Sequence, residues 1–279
     1  MPATLDSILA ATRRRVARAK AAADVRQLER QAEMHIPRGF GKQLREAARS
    51  ATAVIAELKK ASPSRGTIRG DFHAAQLAAE LQAAGAAALS VLTDEEFFQG
   101  SLANLRAASA SALVPCLRKD FIVDEFQLLE SRAHSADAVL LIVAALTDSE
   151  LRTLYAGARH LGLDVLCEVH DEGELRRALS AGCEIIGVNS RNLRTFEVDL
   201  QTPLRLANIF PAGVLSVAES GIHSGNDIQE LRAAGYQAFL IGESLMKAPH
   251  PGDALRELLA QSGCSGNTIA RSAREILRG

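Results

Sequence analysis

The chain has 279 residues, 47% of them hydrophobic, with no Trp and few aromatic side chains; that size suits one α/β barrel with an aliphatic interior. A formal net charge of -1 gives no general attraction for nucleic acid or an anionic membrane, so neither is expected as a partner and any anion must be held at a local site. There is no apolar leader and no run near the ~20 residues of a bilayer span. Cys116, Cys167, Cys183 and Cys264 lack metal-type spacing, and buried free thiols in a cytoplasmic protein are expected.

Residues 1–50 form a basic, Ala-rich N-terminal extension. It is expected to be helical and to pack on the barrel, because Leu5, Ile8, Leu9 and Val16 share one helical face. Within it, Arg13, Arg14 and Arg15 read as a solvated helix face rather than a polyanion site. From 51 to 262, aliphatic runs alternate with amphipathic stretches. The runs fall at 54–56, 88–92, 113–117, 139–143, 165–167, 185–188, 214–217 and 239–241, and helices are predicted at 71–84, 124–133, 148–161, 171–181 and 224–234, each opening near a capping residue. Ala83-Ala84-Gly85, Ser135-Ala136, Ala181-Gly182 and Ala234-Gly235 precede alternate runs, as helix ends leading into buried strands. Eight alternations predict a (β/α)8 TIM barrel over a doubly wound sheet. Residues 263–279 read as a Gly/Ser-broken C-terminal tail with one short helix and no assigned function.

In such a barrel, chemistry sits at the C-terminal strand ends. Polar groups follow the runs there: Glu57-Leu58-Lys59, Arg118-Lys119-Asp120, Glu168, Asn189-Ser190-Arg191 and Glu219-Ser220-Gly221. The two-residue period of a strand sends Glu57 and Lys59 to one side, so they point into one mouth rather than forming a lone surface pair. Charges from five strands favour a convergent site over an ion-pair seal. Two Gly turns, at Ser220-Gly221 and Gly242-Glu243-Ser244, sit where barrels of this type bind phosphate, and a helix opening at Glu243 or Ser244 would add free amides. His170, two residues beyond Glu168, is the one histidine in a tempting place, and it reads as a satisfied loop or core residue rather than a metal ligand.

From Val54 onward the chain resembles the indole-3-glycerol-phosphate synthase family. The resemblance rests on Ile55-Ala56-Glu57-Leu58-Lys59-Lys60-Ala61-Ser62-Pro63-Ser64, Leu92-Thr93-Asp94 with Phe98-Gln99-Gly100-Ser101, Leu117-Arg118-Lys119-Asp120-Phe121, Asn189-Ser190-Arg191-Asn192-Leu193, Glu219-Ser220-Gly221-Ile222 and Ile241-Gly242-Glu243-Ser244-Leu245-Met246. It implies a carboxy-lyase of tryptophan biosynthesis. The substrate would be a sugar phosphate, 1-(2-carboxyphenylamino)-1-deoxyribulose 5-phosphate, which is closed, decarboxylated and dehydrated without metal or cofactor. It further implies Lys119 as general acid, Glu168 as the catalytic glutamate, and Lys59 beside the substrate carboxylate and available as a second acid. Glu57, Asn189 and Glu219 would orient the lysines and sugar hydroxyls, and Arg191 would anchor the carboxylate. Ser62, Ser220, Gly221, Gly242 and Glu243 would hold the phosphate, while Phe98, Phe121 and Leu193 would form the pocket for the anthranilate ring. A phosphoribosylanthranilate isomerase would share the fold but rely on a cysteine and aspartate pair. A catalytically dead sugar-phosphate-binding barrel would lack a reason to keep the acid and base. A monomer with a single activity is expected.

Overall fold

The structure is a computed structural model that describes residues 4–63, 65–192 and 197–263; Ser64, Leu193, Cys264 and the tail beyond Gly263 lie outside the described residues. Eight strands run parallel: β1 (Ala53–Leu58), β2 (Ala88–Leu92), β3 (Cys116–Lys119), β4 (Ala138–Ile142), β5 (Asp164–Val169), β6 (Ile185–Asn189), β7 (Leu215–Glu219) and β8 (Ala238–Ile241). Each lies beside its neighbours in sequence, and β8 closes on β1 through the register Ala53↔Ala238 to Ala56↔Ile241. This is a closed TIM barrel, with three helices ahead of its first strand.

Alternation along the strands sorts the apolar side chains into two cores. Ile55, Leu117, Leu140, Leu166, Val217 and Leu240 fill the barrel interior. Val54, Ala56, Val91, Val139, Val165, Ile186 and Phe239 meet the surrounding helices, among them Leu77, Leu105, Leu151 and Leu175. The helices begin where capping chemistry allows: Asp124, Thr147, Asp171 and Ser224 each accept a backbone N–H of the following turn, satisfying donors the helix cannot pair.

The strands run further toward their C-terminal ends than the aliphatic runs do. β1, β3, β5, β6 and β7 contain Glu57, Lys119, Glu168, Asn189 and Glu219 within the ladder rather than after it. Conversely Leu113, part of a predicted run, is 86% exposed and precedes β3.

The N-terminal extension covers both ends of the barrel. Helices α1 (Leu5–Ala22), α2 (Val25–Met34) and α3 (Phe40–Ser50) precede β1. Phe40 and Leu44 of α3 are wholly buried in the interior cluster with Ala53, Ala87, Ile185 and Leu215, plugging the end where the strands begin. Ile8 of α1 joins the same cluster, and Leu5 and Ile8 line the cavity at the opposite end. The expectation of a solvated Arg13-Arg14-Arg15 face fails for Arg15, which pairs with Asp120 at 3.0 Å and Asp94 at 3.3 Å. Those two carboxylates are almost wholly buried and need a cation.

The bottom of the barrel is tied to the linker between α2 and α3 at Asp137. Its Oδ1 accepts from the Arg38 backbone N–H at 2.7 Å, and its Oδ2 accepts from the Cys116 N–H at 2.6 Å and the Arg38 guanidinium. His35 Nε2 lies 3.2 Å away. Cys116, Cys167 and Cys183 are buried free thiols, and among the described residues no helix is long and apolar enough to cross a membrane.

Candidate active site

A cavity of about 350 Å3 opens at the C-terminal ends of the strands, within the size range of small-molecule sites. Glu57, Lys59, Ser62, Phe98, Lys119, Phe121, Glu168, Asn189, Arg191, Glu219, Ser220, Gly221, Gly242 and Glu243 all line it. The strand ladder brings together residues up to 186 positions apart in sequence.

At its floor lies a charge cluster. Lys119 Nζ donates to Glu168 Oε2 at 2.6 Å and to Glu219 Oε2 at 3.2 Å. Lys59 Nζ donates to Glu57 Oε1 at 2.6 Å. These carboxylates approach because their neighbours are small: a Cβ on Gly187 of β6 would collide with Glu219 Oε1, and one on Gly242 would meet Glu57 Oε1 at 2.5 Å. Arg118, adjacent to Lys119, points the other way. It donates to Asp120, Glu130, Ser131 and Thr93 behind the barrel wall and takes no part in the mouth.

The cluster sets its own proton affinities. Burial would lower the Lys119 ammonium, but Glu168, Glu219 and Glu57 outweigh it and hold the group well above the ordinary lysine range. For Glu168, burial favours the neutral acid, yet Lys119 and His170 prevail and keep the carboxylate ionised. Glu219 goes the other way. Burial and the nearby Glu168 charge, only partly offset by Lys119, push it up to about 7, and its Oε1 is buried with no hydrogen-bond partner among the described residues. Two carboxylates on one lysine are thus driven apart, one charged and one near neutrality, the pattern of a site divided between acid and base work.

Around the cluster the lining is asymmetric. Phe98 and Phe121 form one wall, their ring centroids 6.4 Å apart, with Leu92, Leu140 and Ile142 behind. Opposite them the chain turns sharply after β7, where Ser220 takes φ 66°, a left-handed conformation that costs an L-residue about 1 kcal/mol. After β8 a short helix, Glu243–Lys247, opens at Gly242. Here Glu243 gathers three cations: Lys247 at 2.7 Å, Arg191 at 3.3 Å and Arg65 at 3.4 Å. The Arg191 backbone N–H is in turn accepted by Asn189 Oδ1 at 2.9 Å. Of the residues expected at the site, only Leu193 lies outside the described residues.

Sequence reasoning missed Arg65 and Lys247, because neither follows an aliphatic run: one lies in the loop after β1, the other one turn past Glu243. It missed Leu5 and Ile8 as lining residues, since their periodicity shows a buried face but not what covers it. His170, read as a satisfied loop or core residue rather than a metal ligand, is held by Glu174 through its backbone N–H and Nδ1, and its Nε2 also stands 3.4 Å from Glu168.

Fold and site together define a TIM barrel with a small-molecule-sized cavity, lined by paired lysines and carboxylates, at the C-terminal mouth of its strands. A family model for indole-3-glycerol phosphate synthase matches residues 5–258. A protein of that name from Koribacter versatilis is 59% identical over 259 residues, covering 93% of this chain and 100% of its own. Another, from Aromatoleum aromaticum, is 49% identical over 256 residues, covering 91% and 98%. The chain belongs to the indole-3-glycerol phosphate synthase family, decarboxylating lyases of tryptophan biosynthesis. Solved structures add likeness of fold alone. Thiamine phosphate pyrophosphorylase from Pyrococcus furiosus matches with TM-score 0.55 at 15% identity, over 76% of this chain and 95% of that one. The N-acetylmannosamine-6-phosphate 2-epimerase from Clostridium perfringens matches with TM-score 0.57 at 10% identity, over 71% and 89%.

Proposed function

We propose that this barrel makes indole-3-glycerol phosphate from 1-(2-carboxyphenylamino)-1-deoxyribulose 5-phosphate with Lys119 as acid and Glu168 as base, acting as a monomer in the cytoplasm without metal or cofactor. The observation that carries the residue roles is the Lys119 ammonium held between Glu168 and Glu219, 2.6 and 3.2 Å away, at the floor of the cavity. The anthranilate ring lies against Phe98 and Phe121, with Leu193 completing that pocket. The phosphate lies at the β7 and β8 turns, held by Ser62, Ser220, Gly221, Gly242 and the backbone amide of Glu243, while Arg65 and Lys247 supply positive charge. Lys59 and Arg191 meet the substrate carboxylate.

In the first step the ring carbon bearing the carboxylate attacks the sugar carbonyl. Lys119 gives its proton to the oxygen as charge develops there, where an acid in fixed position is worth most. Carbon dioxide then leaves and the ring regains its aromaticity. In the second step the new hydroxyl departs as water with a proton from Lys59, and Glu168 takes the proton lost from carbon. Glu57 holds Lys59 in place. Glu219, near neutrality in the resting protein, holds Lys119 and meets a sugar hydroxyl, and Asn189 orients Arg191.

The test is to mix purified protein with the anilino sugar phosphate, with chelator present, and follow indole-glycerol-phosphate fluorescence. Turnover in wild type that vanishes in Lys119→Ala supports the reading. Turnover unchanged in that variant removes Lys119 from the acid role.

A further inference from the structure

We propose that His170 is a positioning residue for Glu168, an imidazolium set on the side of the glutamate away from Lys119 so that the carboxylate stays ionised and aimed after Lys119 has given up its proton. The inference rests on the residue roles proposed above. Glu168 is 1% exposed and carries a cation at each oxygen: Lys119 Nζ at 2.6 Å from Oε2 and His170 Nε2 at 3.4 Å from Oε1. The second approach lacks hydrogen-bond alignment, and among the described residues Nε2 has no hydrogen-bond partner, so the pairing with Glu168 is electrostatic.

The ring is fixed from its other end. Glu174 Oε2 accepts the His170 backbone N–H at 2.8 Å and lies 3.0 Å from Nδ1, which makes Nδ1 a donor to that carboxylate. Glu174 stands on the helix Glu172–Ser180, whose first turn is capped by Asp171. The charged groups facing the imidazole are therefore Glu168 from β5 and Glu174 from that helix, with Lys119 of β3 beyond Glu168. Burial disfavours the imidazolium, but the two carboxylates prevail and raise it from 6.5 to about 10.

The need for a second cation follows from the chemistry. Once Lys119 has protonated the substrate oxygen it is neutral, and Glu168 would be a nearly buried carboxylate with no compensating charge. Such a group takes up a proton, which would disable it just before the step in which it must accept one. The imidazolium keeps it ionised without occupying the oxygen that faces Lys119.

Two measurements test this. NMR of the resting protein, with the His170 signal assigned by its loss in His170→Gln, reads the histidine directly and does not depend on turnover. His170 should remain an imidazolium through pH 8 and should titrate at least one pH unit lower in Glu168→Gln. Titration near 6.5 in wild type overturns the proposal. The kcat profile then reads the glutamate. In His170→Gln, which keeps a donor but not the charge, the acid limb should move up by about one pH unit, kcat should fall up to about tenfold on that limb with little change at the plateau, and KM should stay within about twofold. An acid limb that stays in place in folded His170→Gln, or a loss carried by KM and melting temperature alone, overturns it. A wild-type chain with no turnover overturns the proposed reaction instead, while the NMR result still decides whether His170 pairs with Glu168.

Discussion

In the proposed reaction Lys119 is the acid, and its surroundings fix what its removal should do. It contributes chiefly as the alkoxide forms, so Lys119→Ala should lower kcat by roughly 10^3-fold or more while the dissociation constant for substrate changes little; single-turnover fluorescence with equilibrium binding separates the two. Glu219 gives a prediction of opposite sign for stability. Its folded value of about 7 lies above the ordinary 4.5, so the native state favours the protonated acid. The stability this provides is complete below pH 4.5 and is lost as pH rises through 7. Above pH 7 the buried carboxylate is a net cost, on the order of 1 to 3 kcal/mol. Glu219→Gln should therefore melt higher than wild type at pH 8, and the gain should shrink toward zero at pH 5, while turnover falls. A gain that is the same at both pH values would show that Glu219 does not change ionisation in this range.

At the scale of the element, α1 is the part whose role depends most on a single contact. Arg15 reaches over the barrel edge to Asp94 and Asp120. Asp120 keeps Arg118 at 2.9 Å, so it is Asp94 that loses its cation in Arg15→Ala. With Arg15 partly open to solvent, the cost should be about 1 to 2 kcal/mol rather than that of a fully buried pair. Because Leu5 and Ile8 of the same helix line the cavity, a loosened α1 should raise KM several-fold with kcat nearly unchanged, measurable by steady-state kinetics. This coupling was half legible. The apolar stripe of α1 predicts a buried face, but nothing in the sequence says that Arg15 leaves the solvated side, since Asp94 and Asp120 lie far along the chain. The eight strands were legible because each is buried on both faces and reads as an aliphatic run. Their C-terminal limits were not, since Lys119, Glu168 and Glu219 look like the end of a run while they pair with one another inside the ladder, as does Glu57, which lies in β1 and pairs with Lys59 just beyond it. The helix Leu102–Ser111 also escaped, its alanines and serines giving little contrast between faces.

For the whole molecule, the arrangement separates what holds the chain together from what it does. The N-terminal extension is anchored at the bottom of the barrel by Asp137 and at the top by Arg15, with the cavity and the groups proposed to react at the top. Asp137 is wholly buried and accepts from Arg38, His35 and the Cys116 amide. Burial alone would raise its pKa, but hydrogen bonds from His35 and Arg38 keep it below the ordinary 3.8. A depressed carboxylate contributes stability that is present above the unfolded value and lost as pH falls through the folded one, so this anchor is intact at every pH above about 4. Asp137→Ala leaves the Arg38 guanidinium and the Cys116 N–H without their acceptor, and should cost about 3 to 5 kcal/mol, as for a broken buried pair. Urea unfolding should report that loss. The same variant, assayed at a temperature where it remains folded, should retain kcat and KM within about twofold, because Asp137 lies where the strands begin and the cavity lies where they end. A large loss of kcat in folded Asp137→Ala would mean that the two ends of the barrel are mechanically coupled, and that the extension acts on the chemistry as well as on stability.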